Sequence, residues 1–175
     1  VETDSEYVKK EKLAEVKARK RHIIDIYNSS KLIGNGWCGL EYMYLTPETI
    51  ADACNDMGMR CVLVSGLNMF GPAMSVMEER YNKLNGKYDL VSYKMGVHAE
   101  YTCSRELLEE VSELIHKYQA PVDTHSSEST SEVADCIERY GKTPTALFEE
   151  LGLLDFGGTH YHCIYVTDED LQILK

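Results

Sequence analysis

The chain has 175 residues, of which 43% are hydrophobic, and a formal net charge of −11 at pH 7 with histidine neutral. This length and apolar content suit one domain with a buried core. The negative charge argues against the basic surface that nucleic-acid binders carry. We therefore expect one domain over residues 1–175 and no nucleic-acid partner.

Three further features concern the compartment. Six cysteines are scattered along the chain with no Cys-x-x-Cys pair, and a chain of this size does not need disulfides, so reduced thiols are expected. No apolar run approaches the roughly 20 residues that span a bilayer. The first residues are acidic, whereas a secretory signal begins with a basic region and continues with an apolar one. These features predict a cytoplasmic protein with no membrane partner.

Strand-like and helix-like patterns alternate along the chain. Short runs rich in β-branched residues are separated by amphipathic stretches, several of which begin at Ser, Thr or Thr-Pro, the residues preferred at helix starts. The run over 60–67 has the continuous apolar character of a strand buried on both faces. In chain order, the sequence predicts helix 5–27, strand 40–45, helix 47–57, strand 60–67, helix 73–84, strand 90–97, helix 105–118 capped by Ser104, strand 121–125, a helix to 140 capped by Thr130 or Ser131, helix 144–151, strand 157–166 and a helix that begins at Thr167.

This regular alternation predicts the fold class. Strands that alternate with helices pair in parallel and are joined by right-handed crossovers. About five strands and six helical segments are more than half of an eight-stranded barrel and less than a whole one. We therefore predict an α/β fold with a parallel sheet and flanking helices.

Residues that could perform chemistry follow three of the predicted strands. His98, His125 and His162 each lie at or just past the end of a strand, and Glu128 follows His125 by three residues. Parallel α/β folds gather their functional groups at this edge. A single histidine more often packs in a core or lies on the surface, but three at one edge favour a shared site. A neutral imidazole there can bind a metal, and a carboxylate beside it can move protons.

Four segments around these residues carry a family resemblance. They are Gly-Val-His-Ala-Glu-Tyr-Thr-Cys-Ser-Arg-Glu-Leu-Leu over 96–108, Pro-Val-Asp-Thr-His-Ser-Ser-Glu over 121–128, Tyr-Gly-Lys-Thr-Pro over 140–144 with Gly-Leu-Leu over 152–154, and His-Cys over 162–163 before Thr-Asp-Glu over 167–169. In this order they resemble motifs of the amidohydrolase superfamily. The branch they resemble most is that of the 5-methylthioadenosine/S-adenosylhomocysteine deaminases and their chlorohydrolase relatives.

The resemblance implies the central part of a (β/α)8 TIM barrel, strands two to six with their flanking helices. It implies a divalent metal, Zn²⁺ or Fe²⁺, that activates water for attack on a small purine-like or triazine-like heterocycle, such as methylthioadenosine or S-adenosylhomocysteine. On the matching positions, His125 is the metal ligand and Glu128 is the proton shuttle. His162 donates a hydrogen bond to the attacking oxygen, and His98 contacts the substrate.

The chain also departs from the family pattern. The family's His-x-His pair from strand one and its aspartate from strand eight are not in this sequence. One histidine does not fix a metal that normally takes three or more protein ligands, so the segment alone is expected to be inactive and to bind no metal tightly. His160 and His162 would bind adventitious metal if the strand placed both on one face. Glu100 replaces a proline of the family motif, which leaves the substrate preference open.

Two alternatives to a catalytic segment remain. A chain that kept the sheet without the chemistry would act as a binding or assembly module and would self-associate through its open sheet edges. A complete α/β domain of another kind would share these motifs by chance. The spacing Gly34-x-Gly36-x-x-Gly39 does not support a dinucleotide site in such a domain, because it follows a predicted helix rather than a strand.

Overall fold

The computed structural model describes residues 14, 17, 38–41, 47–64, 66–69 and 74–175. Ala14 and Lys17 are helical, and the rest of the helix predicted over 5–27 lies outside the described residues. The described residues fall into two units. The first unit contains the described residues within Val1–Leu63 and Lys83–Tyr93. The second unit contains the described residues within Val64–Asn82 and Lys94–Lys175.

The first unit contains a parallel strand pair and the helix between its strands. Strand β1 (Cys38–Glu41) pairs in parallel with β2 (Arg60–Val64), and helix α1 (Pro47–Met57) connects them. The strand predicted over 40–45 begins two residues earlier, because Cys38 and Gly39 already pair with β2; residues 42–45 lie outside the described part. Helix α1 begins and ends as predicted, with proline at its first position. Among the residues of this unit whose burial is described, the buried hydrophobic ones are Ile50, Ala51, Ala53, Cys54, Met59, Cys61, Leu63, Leu84, Val91 and Tyr93.

The second unit is built on three parallel strands. Its strand order is β3 (Val91–Ala99, from Lys94 onward in this unit), β4 (Val122–Ser126) and β5 (Gly158–His162). The remaining elements are α2 (Met74–Leu84, up to Asn82 in this unit), a 3-10 turn (Glu100–Thr102), α3 (Arg105–Tyr118), α4 (Thr130–Tyr140), α5 (Pro144–Glu150) and α6 (Asp168–Ile173). Every pair between named strands in the described part is parallel, and helices alternate with the strands, so the predicted α/β class with part of a (β/α)8 barrel is confirmed.

One face of this three-stranded sheet packs against helices. Met95, Val97 and Val122 belong to a buried apolar cluster with residues of α3 and α5 such as Leu108 and Phe148. Because successive side chains of a strand point to opposite faces, the residues between them are presented on the other face. That second face carries polar side chains and is therefore where the chemistry can lie.

Side chains fix the starts of the helices. Ser104 and Thr143 cap α3 and α5, and Thr167 caps α6, as predicted. The prediction that Thr130 or Ser131 caps α4 is wrong. Ser129 is the cap, because its hydroxyl accepts from the Glu132 amide while the Glu132 carboxylate accepts from the Ser129 amide, which forms a capping box.

The last strand ends earlier than predicted. Residues 157–166 were expected to be extended, but β5 ends at His162. His162 and Cys163 have φ of 70° and 49°, in the left-handed region that a strand does not use. The chain turns there, and the amides of Ile164 and Tyr165 donate to the Ser127 carbonyl.

A histidine on α3 ties that helix to the segment before β5. His116 Nδ1 lies 2.7 Å from the Ser112 carbonyl oxygen, and Nε2 lies 2.9 Å from Asp155 Oδ2. Both partners accept hydrogen bonds, so only the doubly protonated ring satisfies both. The Ser112 carbonyl and then Asp155 raise the pKa of His116 above its ordinary 6.5.

This arrangement predicts a pH-dependent contribution to stability. The pKa of His116 is higher in the folded state than in the unfolded chain, so its protonated ring stabilises the fold. This stabilisation is complete below about pH 6.5, the pKa in the unfolded chain, and it is lost as the pH rises through the pKa of the folded state. The difference in melting temperature between the parent and Asp155→Asn should therefore be larger at about pH 5.5 than at about pH 8.5. A difference that is constant between these pH values would show that the pair contributes no titrating stability.

No helix in the described part of the chain combines the length and the apolarity that crossing a bilayer requires.

Candidate active site

A buried ion pair forms the floor of the polar face. Lys94 Nζ lies 3.1 Å from Asp123 Oδ1 and donates to Thr159 Oγ1 at 3.2 Å, and the Tyr161 hydroxyl donates to Asp123 Oδ2 at 3.3 Å. The Asp123 side chain has no exposed surface. A buried carboxylate needs such partners, since an uncompensated charge there is strongly destabilising. The ion pair therefore holds Lys94, Asp123 and Tyr161 in place on the polar face, next to the strand ends that carry the histidines.

The three predicted histidines lie together above this floor. The His125 ring centroid is 5.3 Å from that of His98 and 4.9 Å from that of His162. Tyr161, which pairs with His125 across β4 and β5, has its ring centroid 5.6 Å from that of His125. The strand ends thus gather all three imidazoles, and His125 is central.

The alternative metal pair of His160 and His162 is not formed. The His160 ring packs edge to face on Phe148 of α5, 5.5 Å between centroids, whereas the His162 ring lies against His125. Strand alternation alone would put both rings on one face. The left-handed backbone at His162 breaks that alternation.

The surroundings of His125 favour its neutral form. Burial, and then the neighbouring imidazoles of His98 and His162, lower the pKa of His125 below its ordinary value. A neutral imidazole is the form that donates a lone pair to a metal. His125 is therefore chemically suited to be a metal ligand.

A threonine sets the orientation of His98. The Thr102 hydroxyl donates to the Ala99 carbonyl at 3.0 Å and lies 3.1 Å from His98 Nδ1. With its single proton committed to Ala99, the hydroxyl accepts from Nδ1, so in the neutral ring Nε2 is the acceptor.

Glu128 lies beside His162 at the open end of the cluster. Its Oε1 is 3.9 Å from His162 Nε2, too far for a direct hydrogen bond, and the two side chains are 44% and 38% exposed. Both groups are accessible to a ligand from solvent. A carboxylate beside imidazoles that a small molecule can reach is suited to proton transfer.

The carboxylate of Glu132 was missed by the sequence prediction. It is 5% exposed and accepts hydrogen bonds from the backbone of the loop that carries Glu128. The pattern Ser129-x-x-Glu132 is a capping-box signature and would have pointed to this residue. It would not have shown that the carboxylate reaches beyond the cap.

Glu100, where the family motif has a proline, forms a second buried ion pair. Both carboxylate oxygens accept from Arg139 Nη2, at 2.7 and 2.9 Å, and the Glu100 side chain is 1% exposed. Burial raises the pKa of Glu100, and the Arg139 guanidinium opposes that rise. Because Glu100 follows β3 directly and Arg139 is on α4, the pair anchors the end of the His98 strand to α4.

The donor set bears on the divalent metal that the resemblance implies. His125 fits as one ligand. Within the described ranges, no group of three or more His, Cys, Asp or Glu side chains is arranged to hold a metal. If His125 does hold a metal, the other protein ligands would have to come from outside the described part.

Comparison with known proteins identifies the family. The sequence profile of the amidohydrolase family matches residues 29–175. The 5-methylthioadenosine/S-adenosylhomocysteine deaminase of Caldanaerobacter subterraneus subsp. tengcongensis is 32% identical over 140 residues, which are 76% of this chain and 32% of that protein. The chain therefore spans about a third of the length of this curated relative.

Solved structures show the same fold. An adenosine deaminase from Xanthomonas campestris with bound zinc superposes with a TM-score of 0.69 at 24% identity, over 78% of this chain and 32% of that one. An atrazine chlorohydrolase from Arthrobacter aurescens complexed with zinc gives 0.65 at 15% identity, over 78% and 35%. With the family profile covering most of the sequence, this chain belongs to the amidohydrolase family.

Proposed function

We propose that this chain forms the central part of the catalytic barrel of a metal-dependent deaminase that acts on adenosine-like purines. The observation that carries the proposal is the meeting of His125, His162 and Glu128 at the ends of β4 and β5. The reaction would add one water to the amidine-like carbon, break the exocyclic C–N bond and release ammonia. His125 would hold the metal together with ligands from outside the described residues.

The residues of this chain would divide the proton transfers between them. A bound Zn²⁺ or Fe²⁺ would supply a water of lowered pKa. Glu128 would accept a proton from that water and return it to the leaving nitrogen, which therefore departs as ammonia. The exposure of Glu128 supports this role, because a shuttle must reach the substrate.

Two histidines would act on the substrate. His162, 3.9 Å from Glu128, would donate a hydrogen bond to the attacking oxygen and so stabilise the charge that develops there. His98 would accept from the exocyclic amino N–H of the substrate, since the Thr102 contact occupies Nδ1 and makes Nε2 the acceptor of the neutral ring. Tyr101, 43% exposed with its ring centroid 6.0 Å from that of His98, would line the entrance.

Deamination is favoured over dechlorination within this family. The 32% identical relative is named as a deaminase of methylthioadenosine and S-adenosylhomocysteine. The chlorohydrolase shares the fold at 15% identity, which carries no information on the substrate. The proposed substrates are therefore purine nucleosides and their 5′-thio derivatives.

The proposal predicts which product appears. The native protein that contains this chain, loaded with Zn²⁺, should release ammonia from 5′-methylthioadenosine, S-adenosylhomocysteine or adenosine. Coupled ammonia assays on these compounds, with atrazine and chloride detection in parallel, would measure it. Chloride release without ammonia release, or no turnover of any compound, would contradict the proposal.

A further inference from the structure

We infer that Glu132 is the positioning residue that fixes Glu128, an inference that rests on the shuttle role proposed above. Its Oε1 accepts from the Ser127 amide at 2.8 Å. Its Oε2 accepts from the amide of Glu128 itself at 2.7 Å and from that of Ser129 at 3.4 Å. One buried carboxylate thus binds three successive amides, and the middle one belongs to Glu128.

The loop needs such a partner because of its backbone conformation. Ser127, between His125 and Glu128, has φ of 53°, in the left-handed region that non-glycine residues avoid. It is also fully buried, where an unpaired amide is costly. Glu132 satisfies that amide, while the Ser127 carbonyl accepts from Ile164 and Tyr165 at 3.0 Å each. Residues that follow His162 therefore hold one side of Ser127, and Glu132 holds the other.

The contacts of Glu132 extend beyond a helix cap. In a capping box the carboxylate bonds only to the cap residue, and here that bond, to Ser129, is the longest of the three. The two shorter bonds go to Ser127 and Glu128, which precede the cap. Ser129→Ala offers a matched control, because it removes the hydroxyl that accepts from the Glu132 amide at 3.2 Å but leaves the carboxylate in place.

Amide hydrogen exchange on the 175-residue chain tests the geometry without any activity. Glu132→Gln replaces one acceptor oxygen with a donor group, so exchange at the Ser127 and Glu128 amides should become about tenfold faster or more. Ser129→Ala removes only the cap hydroxyl, so it should leave both rates within about twofold of the parent. Parent-like protection of both amides in Glu132→Gln would overturn the inference.

Kinetics of the zinc-loaded native protein test the consequence. Since Glu128 would act in the chemical step, Glu132→Gln should lower kcat about 10- to 100-fold with KM within about twofold. Ser129→Ala should keep the parent kcat. In a Glu128→Gln background, Glu132→Gln should have no further effect on kcat, because a residue that acts through Glu128 has nothing left to position. Additive losses would overturn the inference.

The outcomes separate this inference from the proposed function. If Glu128→Gln turned over like the parent, the proposed function itself would fail. If Glu128→Gln were inactive while Glu132→Gln matched Ser129→Ala in kcat and amide exchange, only the positioning role would fail. If Glu132→Gln does not fold, Glu132→Asp provides the same comparison, because aspartate keeps both carboxylate oxygens on a side chain that is one carbon shorter. A lower kcat at unchanged KM in Glu132→Asp supports the positioning role. A kcat equal to that of the parent overturns it.

Discussion

Replacing Glu128 with glutamine should lower kcat for adenosine-like substrates by about 10²–10⁴-fold in the zinc-loaded native protein. The amide has nearly the same size as the carboxylate but cannot accept a proton from water and return it to the leaving nitrogen. Because the Glu128 side chain is 44% exposed and its backbone amide stays bonded to Glu132, the folded state should be unaffected. Steady-state rates of ammonia release, with zinc content measured for each preparation, give the comparison.

A matched substitution controls for the loss of one negative charge. Glu138 is an exposed residue on α4 outside the histidine cluster, so Glu138→Gln should leave kcat within about twofold of the parent. Equal rates for Glu128→Gln and the parent would remove the shuttle role from Glu128. Equal losses in both variants would attribute the effect to overall charge.

Gly158→Ala should destabilise the fold by about 3 kcal/mol or more. Gly158 pairs with Val122 in the register of β4 and β5, and a Cβ there would overlap the Val122 carbonyl oxygen. Its φ of 143° is also closed to residues with a side chain. The chain would have to separate the strands that carry His125 and His162. Urea unfolding of the 175-residue chain, followed by circular dichroism, measures the loss.

A substitution at the neighbouring Gly157 distinguishes the two causes, which are the overlap with the Val122 carbonyl and the positive φ. Gly157 also has a left-handed φ, 72°, but a Cβ there would meet nothing within 4 Å. Gly157→Ala should therefore cost only about 1–2 kcal/mol, the conformational term alone. If the two variants were equally stable, close approach of the strands would not be what requires glycine at 158.

Local patterns in the sequence were sufficient for most elements. Helices α1, α3 and α5 begin at the residues that capping rules select, because a cap depends on hydrogen bonds within one turn. The Ser129 cap was misplaced because Thr130 and Ser131 are equally good capping residues by type. The choice depends on which backbone is extended, and Ser129 has φ −136° and ψ 157°.

The site was only partly predictable from the same information. His98, His125 and His162 could be grouped because parallel strands end at one edge of a sheet, and their rings do meet. The ion pair between Glu100 and Arg139 could not be predicted, since the two residues are 39 positions apart and a contact of that kind has no local signature. The roles of Glu128, His162 and His98 remain proposals that the kinetic experiments test.

The sequence by itself determined the alternation of strands and helices, because that follows from periodicity and short-range hydrogen bonding. It also determined the edge at which the histidines lie, because alternating strands and helices make a parallel sheet whose strands all end at one edge. Only the tertiary structure decided where individual side chains point. A left-handed backbone directs His162 toward His125 and away from His160. The carboxylate of Glu132 reaches back to the Glu128 amide because the loop over 127–129 folds onto the start of α4. Such directions depend on backbone angles and long-range packing, which no local pattern encodes.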